Sequence, residues 1–490
     1  LAALPLLGFW TYGLFDLDEG FYAAVTGEML RRGDWITPHY NGAPWFEKPI
    51  LLYWISTPFV ALLGQDWGPR FSSFLCALAM IGAVWAFGQR FAGQGAGWRA
   101  ALALATSLLA IAIGRMMMTD AAFVLALTLA LLTFWRSLVE DVRWRVLSGA
   151  LLGVSVLAKG PAGCAFFVLI AAWTFWREPG LRARFRGGWA LGTLAFLAVV
   201  GVWYLPAYLM HPGLFFEEFI IRQNIGRFVG GDKAHAMGGI QGALFYPAVL
   251  LVGFFPWCLR IWSAWPRRSA APEAAFLRYL AAWAAIVFLF FFVAEAKLPH
   301  YILPCLPPLA LLVGAWMARR EGAPVLPARR DWLAYGAGAA ILFAIANGAS
   351  IWWYRASGHA ELHAHTRWLE EREGEVVEFQ MSRREAGRGT GGMRLMETSH
   401  PSIVFYLDRV VPKPATFEAL LDRAGPAWVL TREDRIKEED VELARRAGVT
   451  LTPAATPAPQ DRYRVWRLER TAPAPEARSG CVPDAVRLRS

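Results

Sequence analysis

The sequence predicts an all-α polytopic membrane bundle of about 11–13 transmembrane helices, with a small C-terminal α/β domain on the periplasmic side. Three observations carry that prediction. Of 490 residues, 56% are hydrophobic and 14% aromatic, with a mean hydropathy of +0.34. Charged residues make up 18%, against about 25% in soluble domains, and most sit in short clusters or in the last quarter. Apolar runs that span a bilayer, or nearly so, recur at 70–89, 98–114, 119–137, 146–158, 161–176, 189–209, 242–264, 276–294, 300–318 and 332–353. A crossing helix needs about 20 residues, so the pieces near 146–176 are marginal. Residues 1–14 read as a truncated first span, without a cleavable signal-peptide pattern.

The loops sort by charge. One set carries Arg90 and Arg99; Arg136, Arg143 and Arg145; Arg177, Arg182, Arg184 and Arg186; Arg267 and Arg268; Arg319, Arg320, Arg329 and Arg330. The alternate loops are acidic or hold single cations. Positive-inside puts the arginine set in the cytoplasm and the rest outside. The segment 50–64 tests this assignment. It is apolar but short, with Pro49 and Pro58. As a span it would invert every later loop; as a re-entrant or surface-lying helix it keeps all five arginine clusters inside.

The expected organisation is a transmembrane domain over 1–353, with a first periplasmic loop at 15–69 and a large one at 210–241. An α/β domain follows over 354–470, and a disordered tail rich in Pro, Ala and Arg over 471–490. Strand-like runs stand at 402–407, 427–430 and 463–466, with helical patterns at 416–424 and 438–447. A Gly/Arg-rich stretch near 383–394 reads as a loop. His359, His363 and His365 read as part of a solvated segment.

The net charge of +10 sits in loops where membrane topology requires it, so no nucleic-acid partner is implied. Cys76, Cys164, Cys258 and Cys305 lie in apolar runs as small buried hydrophobes, and Cys481 is alone; no disulfide framework or Cys-rich metal site follows.

The outer loops hold isolated charges at membrane depth, which marks a functional site. Asp16, Asp18 and Glu19 lie just past the first apolar run. Glu47 and Lys48 follow in Trp45-Phe46-Glu47-Lys48-Pro49. Later loops bring Arg115 and Asp120; Lys159; Glu217, Glu218, Arg222, Asn224, Arg227, Asp232, Lys233 and His235; and Glu295, Lys297, His300 and Tyr301. The outer side of a membrane has no nucleotide pool, so group transfer there needs a donor that arrives activated. A lipid-phosphate-linked sugar fits. Its departing phosphate needs cations or a metal, and the acceptor hydroxyl needs a carboxylate base. Asp18 or Glu19 suits the base; Lys48, Arg115, Lys159 and Lys297 suit the phosphate. Glu47 with His235 forms a partial oxygen/nitrogen site for a divalent metal such as zinc.

Here the motifs resemble a known family. Asp18-Glu19, Glu28-Met29-Leu30, Gly33-Asp34-Trp35, Phe46-Glu47-Lys48-Pro49, Thr119-Asp120, Lys159-Gly160, the stretch from Phe216 to Phe228, and Lys297-Leu298-Pro299-His300-Tyr301-Ile302-Leu303-Pro304 look like the aminoarabinose transferase (lipid A-modifying) branch of the GT-C glycosyltransferases. Protein O-mannosyltransferases are more distant relatives of the same plan. The resemblance runs from Leu1 to about residue 318 and more weakly through the tail. It implies a bacterial inner-membrane enzyme with its site facing the periplasm. It implies a polyprenyl-phosphate-sugar donor, inverting transfer, and a lipid, glycan or protein acceptor. It also implies catalytic aspartates at Asp18 and Asp120, metal ligands at Glu47 and His235, and a phosphate contact at Lys48; the last motif brings His300 and Tyr301 beside Lys297. One departure stands out: aminoarabinose enzymes tend to carry Arg three residues after the first-loop aspartate, where this chain has Phe21, which leaves the sugar open. Each charge also has a simpler explanation: Asp18 and Asp120 as helix caps, Lys48 as a snorkelling side chain, Lys297 and His300 as interfacial anchors. A transporter or lipid flippase is the rival class. It should place its charges near midplane in repeated halves; here they gather at one face, without a repeat.

Overall fold

The protein is described here from a computed structural model, covering residues 3–184, 189–226, 237–266, 273–320, 329–381, 400–423 and 425–470. The chain divides into two compact units, Leu1–Ala356 and Ser357–Ser490.

The first unit is a bundle of apolar helices, as expected. Among the described residues, six helices are long and apolar enough to cross a membrane, and up to eight if each of two bent pairs is one span. The sequence-based number is larger because several apolar runs form short or broken helices. Helices α6 (Trp144–Lys159) and α7 (Ala162–Arg177) have 16 residues each, about 24 Å at 1.5 Å per residue. The run 98–114 breaks by 67° between Ala105 and Leu108, and the run 242–264 bends by 103°.

The segment 50–64 is settled by helix α2 (Leu51–Phe91), which breaks at Gly64, where φ is +74°. Gly tolerates that backbone where other residues are strained. Across the break, the Ser56 and Ser72 hydroxyls lie 2.7 Å apart. In a continuous helix, residues 16 apart would be separated by about 24 Å, so α2 turns back on itself. Gly68 makes the close approach possible, because a Cβ there would stand 2.4 Å from Val60 Cα. The first limb is therefore the short side of a hairpin rather than an extra span.

The two ends of the bundle differ in charge. At one end Glu140 joins Arg90 to Arg136, the latter at 2.6 Å, and Glu178 takes Arg278 at 2.6 Å. Arg136 and Glu140 close helix α5 (Thr119–Val139), whose other end begins with Asp120. Lys159 likewise ends α6, opposite Arg145. Along α5 and α6, Arg136 and Arg145 thus stand at one end, and Asp120 and Lys159 at the other.

The second unit contains a four-stranded sheet of β3 (Glu375–Phe379), β4 (Ala427–Arg432), β5 (Val449–Pro453) and β6 (Tyr463–Arg470), in the order β3-β4-β6-β5. The β3–β4 pair is parallel, and β6 runs antiparallel to both β4 and β5. Helices at Phe417–Leu421 and Glu438–Arg446 match the expected positions. The run 402–407 does not: it is a helix, Pro401–Leu407, with all seven residues buried. A short continuous apolar run does not distinguish a buried strand from a buried helix turn, and Pro401 at the first helical position favours the latter. His365 is another correction, since it lies fully buried on helix His359–Glu370 rather than in a solvated segment. The stretch near 383–394 and the tail 471–490 lie outside the described residues.

A buried polar group in this unit predicts its pH response. His400 Nε2 lies 3.1 Å from the Tyr463 hydroxyl. Burial, then the charges of Lys413, His359 and Arg432, push its pKa down to about 3. Between that value and the ordinary histidine pKa of about 6.5, the unfolded chain binds the extra proton, so stability rises with pH across this window. Lowering the pH from 7 to 5 should cost the unit about 2 kcal/mol. Hydrogen exchange of the β3–β6 amides at the two pH values checks this, and His400→Gln should flatten the difference.

Candidate active site

The first loop is built around one buried ion pair. Helix α1 (Asp18–Arg32) opens with Asp18 and Glu19; Asp18 is exposed and Glu19 is 1% exposed. The Glu19 carboxylate accepts Arg70 Nε at 2.8 Å and Arg70 Nη2 at 2.7 Å. It also accepts the backbone N–H of Met117 at 2.7 Å and of Phe15 at 3.0 Å. Arg70 uses its remaining donors on the carbonyls of Phe9, Tyr12 and Gly13, at 2.7, 2.8 and 2.9 Å. Fork-to-fork pairing of this kind is strong and directional. Of the two carboxylates considered for the base, Glu19 is thus committed to scaffolding, and its neighbour Asp18 is left facing outward. In the sequence Arg70 opens the apolar run 70–89, where a lone arginine between Pro69 and Phe71 is its only signal.

Beyond α1, the loop is pinned by aromatic and turn contacts. Gly33 ends the helix in the left-handed region. Asn41 and Gly42, both at positive φ, close a small hairpin of His39–Tyr40 and Ala43–Pro44, the Asn-Gly pairing such turns favour. Gly42 N–H donates to the buried Glu28 at 3.0 Å. Phe46 packs against Trp203, His211 and Phe215, and that anchor sets the positions of Glu47 and Lys48, whose side chains pair at 3.2 Å. Phe21 stacks on Trp45 with ring centroids 5.1 Å apart. The ring at the position where the resemblance implies Arg is therefore a buried packing residue.

Several expected residues converge. Asp120, buried at the start of α5, accepts from Lys159 Nζ at 2.5 Å and lies 3.9 Å from His300 Nε2. Lys159 Nζ sits 4.8 Å from the Tyr301 ring centroid, a cation–π distance. Asp18 and Lys48 act electrostatically on His300 as well. Tyr22, one turn after Asp18 and missed by the sequence reading, lies among the carboxylates. Burial, then Asp18, Glu47 and Asp120, hold its phenol pKa well above the ordinary value, so it stays a neutral donor.

Others do not join the cluster. Lys297 Nζ donates to the carbonyls of Phe291, Phe292 and Ala294 at 3.3, 3.0 and 2.8 Å. It thereby caps helix α11 (Ala274–Val293), where a cation is favoured; burial lowers its pKa. Arg115 turns to Asn347 Oδ1 at 2.8 Å. Glu218 pairs with Arg222 on the exposed face of helix Phe215–Gly226. His235, with Arg227, Asp232 and Lys233, lies outside the described residues.

A largely buried cluster of acid and base groups, with Asp18 exposed beside it, thus stands at one end of a bundle of helices long and apolar enough to cross a membrane, the architecture of a multi-pass membrane protein. The family model described as dolichyl-phosphate-mannose-protein mannosyltransferase matches residues 47–204. An undecaprenyl phosphate-alpha-4-amino-4-deoxy-L-arabinose arabinosyl transferase of Pectobacterium atrosepticum is 32% identical over 65% of this chain and 57% of its own length. One from Pectobacterium carotovorum is 31% identical over 71% and 62%. The chain thus spans about three fifths of the length of these relatives. The crystal structure of ArnT from Cupriavidus metallidurans bound to undecaprenyl phosphate superposes with a TM-score of 0.74 at 20% identity, covering 95% of this chain and 96% of that one. In sequence and fold, the protein is similar to the GT-C aminoarabinose transferases that its motifs resemble.

The buried pair gives a direct test. Glu19→Gln or Arg70→Met alone should destabilise the first unit by about 3–5 kcal/mol, because each strands a buried charge. The double variant should lose less than the sum of the two. Thermal or denaturant unfolding of the four proteins in detergent measures the coupling.

Proposed function

We propose that the protein transfers a sugar from a polyprenyl-phosphate-linked donor to a lipid, glycan or protein hydroxyl at the periplasmic face of the bacterial inner membrane, with inversion at the anomeric carbon. The observation that carries this is the juxtaposition of Asp18, outward-facing, with the buried Asp120–Lys159 pair and His300, at the end of the bundle opposite the arginines.

Each group has a part set by its surroundings. Asp18 is reachable from solvent and is the general base. The acceptor oxygen bonds to the anomeric carbon as its proton passes to Asp18, while the bond from that carbon to the phosphate oxygen breaks and the electron pair leaves with polyprenyl phosphate. Asp120 is occupied by Lys159, so it orients that cation rather than taking the proton. Lys159 and Lys48 face the phosphate on which negative charge accumulates, and fixed cations at that point lower the barrier. Tyr22 adds a neutral hydroxyl donor, and His300 and Tyr301 line the Lys159 side.

Glu47, which lies 3.2 Å from Lys48, and His235, outside the described residues, would together hold a divalent metal such as zinc, whose charge would help neutralise the departing phosphate.

Purified protein supplied with radiolabelled polyprenyl-phosphate sugars and an envelope lipid extract should transfer label. Asp18→Asn should lower the rate by about a thousandfold or more, at the upper part of what a lost base costs, with expression and melting temperature unchanged. Near-normal transfer by that variant removes Asp18 from the role of base. Movement of label across vesicles without transfer overturns the enzyme assignment.

A further inference from the structure

Helix α13 (Arg329–Ala356) closes the first unit and is nearly bare, with 6% of its apolar window buried in protein. Towards its second end, two side chains reach into the bundle. Asn347 Oδ1 accepts from Arg115 Nη2 at 2.8 Å. Its Nδ2 donates to the Leu7 carbonyl at 3.4 Å and to the Phe343 carbonyl at 2.8 Å. Gly8, at φ +83°, makes room for this contact, because a Cβ there would lie 2.1 Å from Asn347 Oδ1. One turn beyond Ser350, the buried Tyr354 packs its ring 6.2 Å from Tyr12 and 5.8 Å from Phe15.

These contacts land on the stretch of chain that presents Asp18. Residues 9–13 are gripped by Arg70 through three carbonyls, and the Phe15 amide by Glu19. Tyr12 lies under two guanidiniums, 4.3 Å from Arg70 and 5.9 Å from Arg115. Arg70 therefore fixes one side of the stretch, and Asn347, through Arg115 and the Leu7–Gly8 backbone, fixes the other. Arg115 is 2% exposed. Without Asn347 it would keep the Tyr12 hydroxyl and a carbonyl of Pro5 at 3.5 Å, while its Nε has no hydrogen-bond partner among the described residues. A buried guanidinium with so few acceptors is costly and would shift towards water, moving Tyr12 with it.

We propose that Asn347 is a positioning residue for Asp18, latching the last helix of the unit to the segment that carries the base. The inference rests on the transfer reaction proposed above and concerns a residue outside the charged cluster. Its main link is the acceptor oxygen of Asn347 for Arg115 at 2.8 Å, so Asn347→Asp, which keeps that oxygen and gives up the longer Nδ2 contact to Leu7 at 3.4 Å, should preserve the latch and Asn347→Leu should not.

The test uses the full chain in lipid nanodiscs. Asn347→Leu is expected to lower kcat for sugar transfer at least tenfold, with KM for the donor within threefold of the parent. Asn347→Asp should stay within threefold on both constants. Amides 9–15 should exchange hydrogen at least tenfold faster in Asn347→Leu, with the amides of α5 unchanged. A folded Asn347→Leu protein with parental kcat, or with parental exchange over 9–15, overturns the proposal. If the parent protein transfers no sugar, the proposed reaction fails by itself, and the exchange measurement still decides the latch. Asn347→Ser, which shortens the side chain without adding volume, gives the same decision if Asn347→Leu does not fold.

Discussion

The buried Glu19–Arg70 pair is the constraint on which the first unit depends. A carboxylate and a guanidinium removed from water lose several kcal/mol each in hydration, and only a complete set of partners offsets the loss. Here the set is nearly complete: Glu19 accepts two guanidinium and two backbone N–H groups, and Arg70 adds three carbonyls. These partners come from the first segment, helix α1, the returning limb of α2 and the residues before α5. One ion pair thus joins four stretches of chain far apart in sequence. Because the segments it joins are those that carry Asp18 and Asp120, the pair also determines where these two proposed site residues stand.

Burial then separates scaffold from chemistry. Charges whose partners fill their hydrogen-bonding capacity, such as Glu19, Arg70 and the helix-capping Lys297, hold backbone in place. Charges that reach solvent, such as the exposed Asp18 and the 21% exposed Lys159, sit where a substrate can reach them. Asp120 lies between these cases, buried but paired with a cation that is 21% exposed. The pattern explains why two adjacent acids, Asp18 and Glu19, have different parts: consecutive residues on a helix point about 100° apart, so one faces the interior and the other the surface.

Much of this was legible in the sequence. Arginine clustering separated the two ends of the bundle, and Pro49 and Pro58 with a short apolar run marked the α2 hairpin. The motifs brought Asp120, Lys159, His300 and Tyr301 to one site. What was not legible depended on partners distant in sequence. Arg70 is an isolated cation in an apolar run until Glu19 is placed against it 51 residues away. Lys297 and Arg115 look like phosphate ligands until the end of α11 and Asn347 occupy them. The helix at Pro401–Leu407 was hidden because an unbroken apolar run has no period to read. Phe21 could be recognised as a departure, but its stacking on Trp45 could not.

We propose that the end of the bundle bearing Asp18 faces away from the cytoplasm and the end bearing Arg136 and Glu140 faces into it. Single cysteines at Glu295, exposed on the site side, and at Asp141, half-exposed on the arginine side, test it in a chain whose native cysteines are replaced. A membrane-impermeant maleimide applied to intact spheroplasts should label position 295 at once and position 141 only after the membrane is opened. Labelling of position 141 from outside, with position 295 protected, would contradict the account.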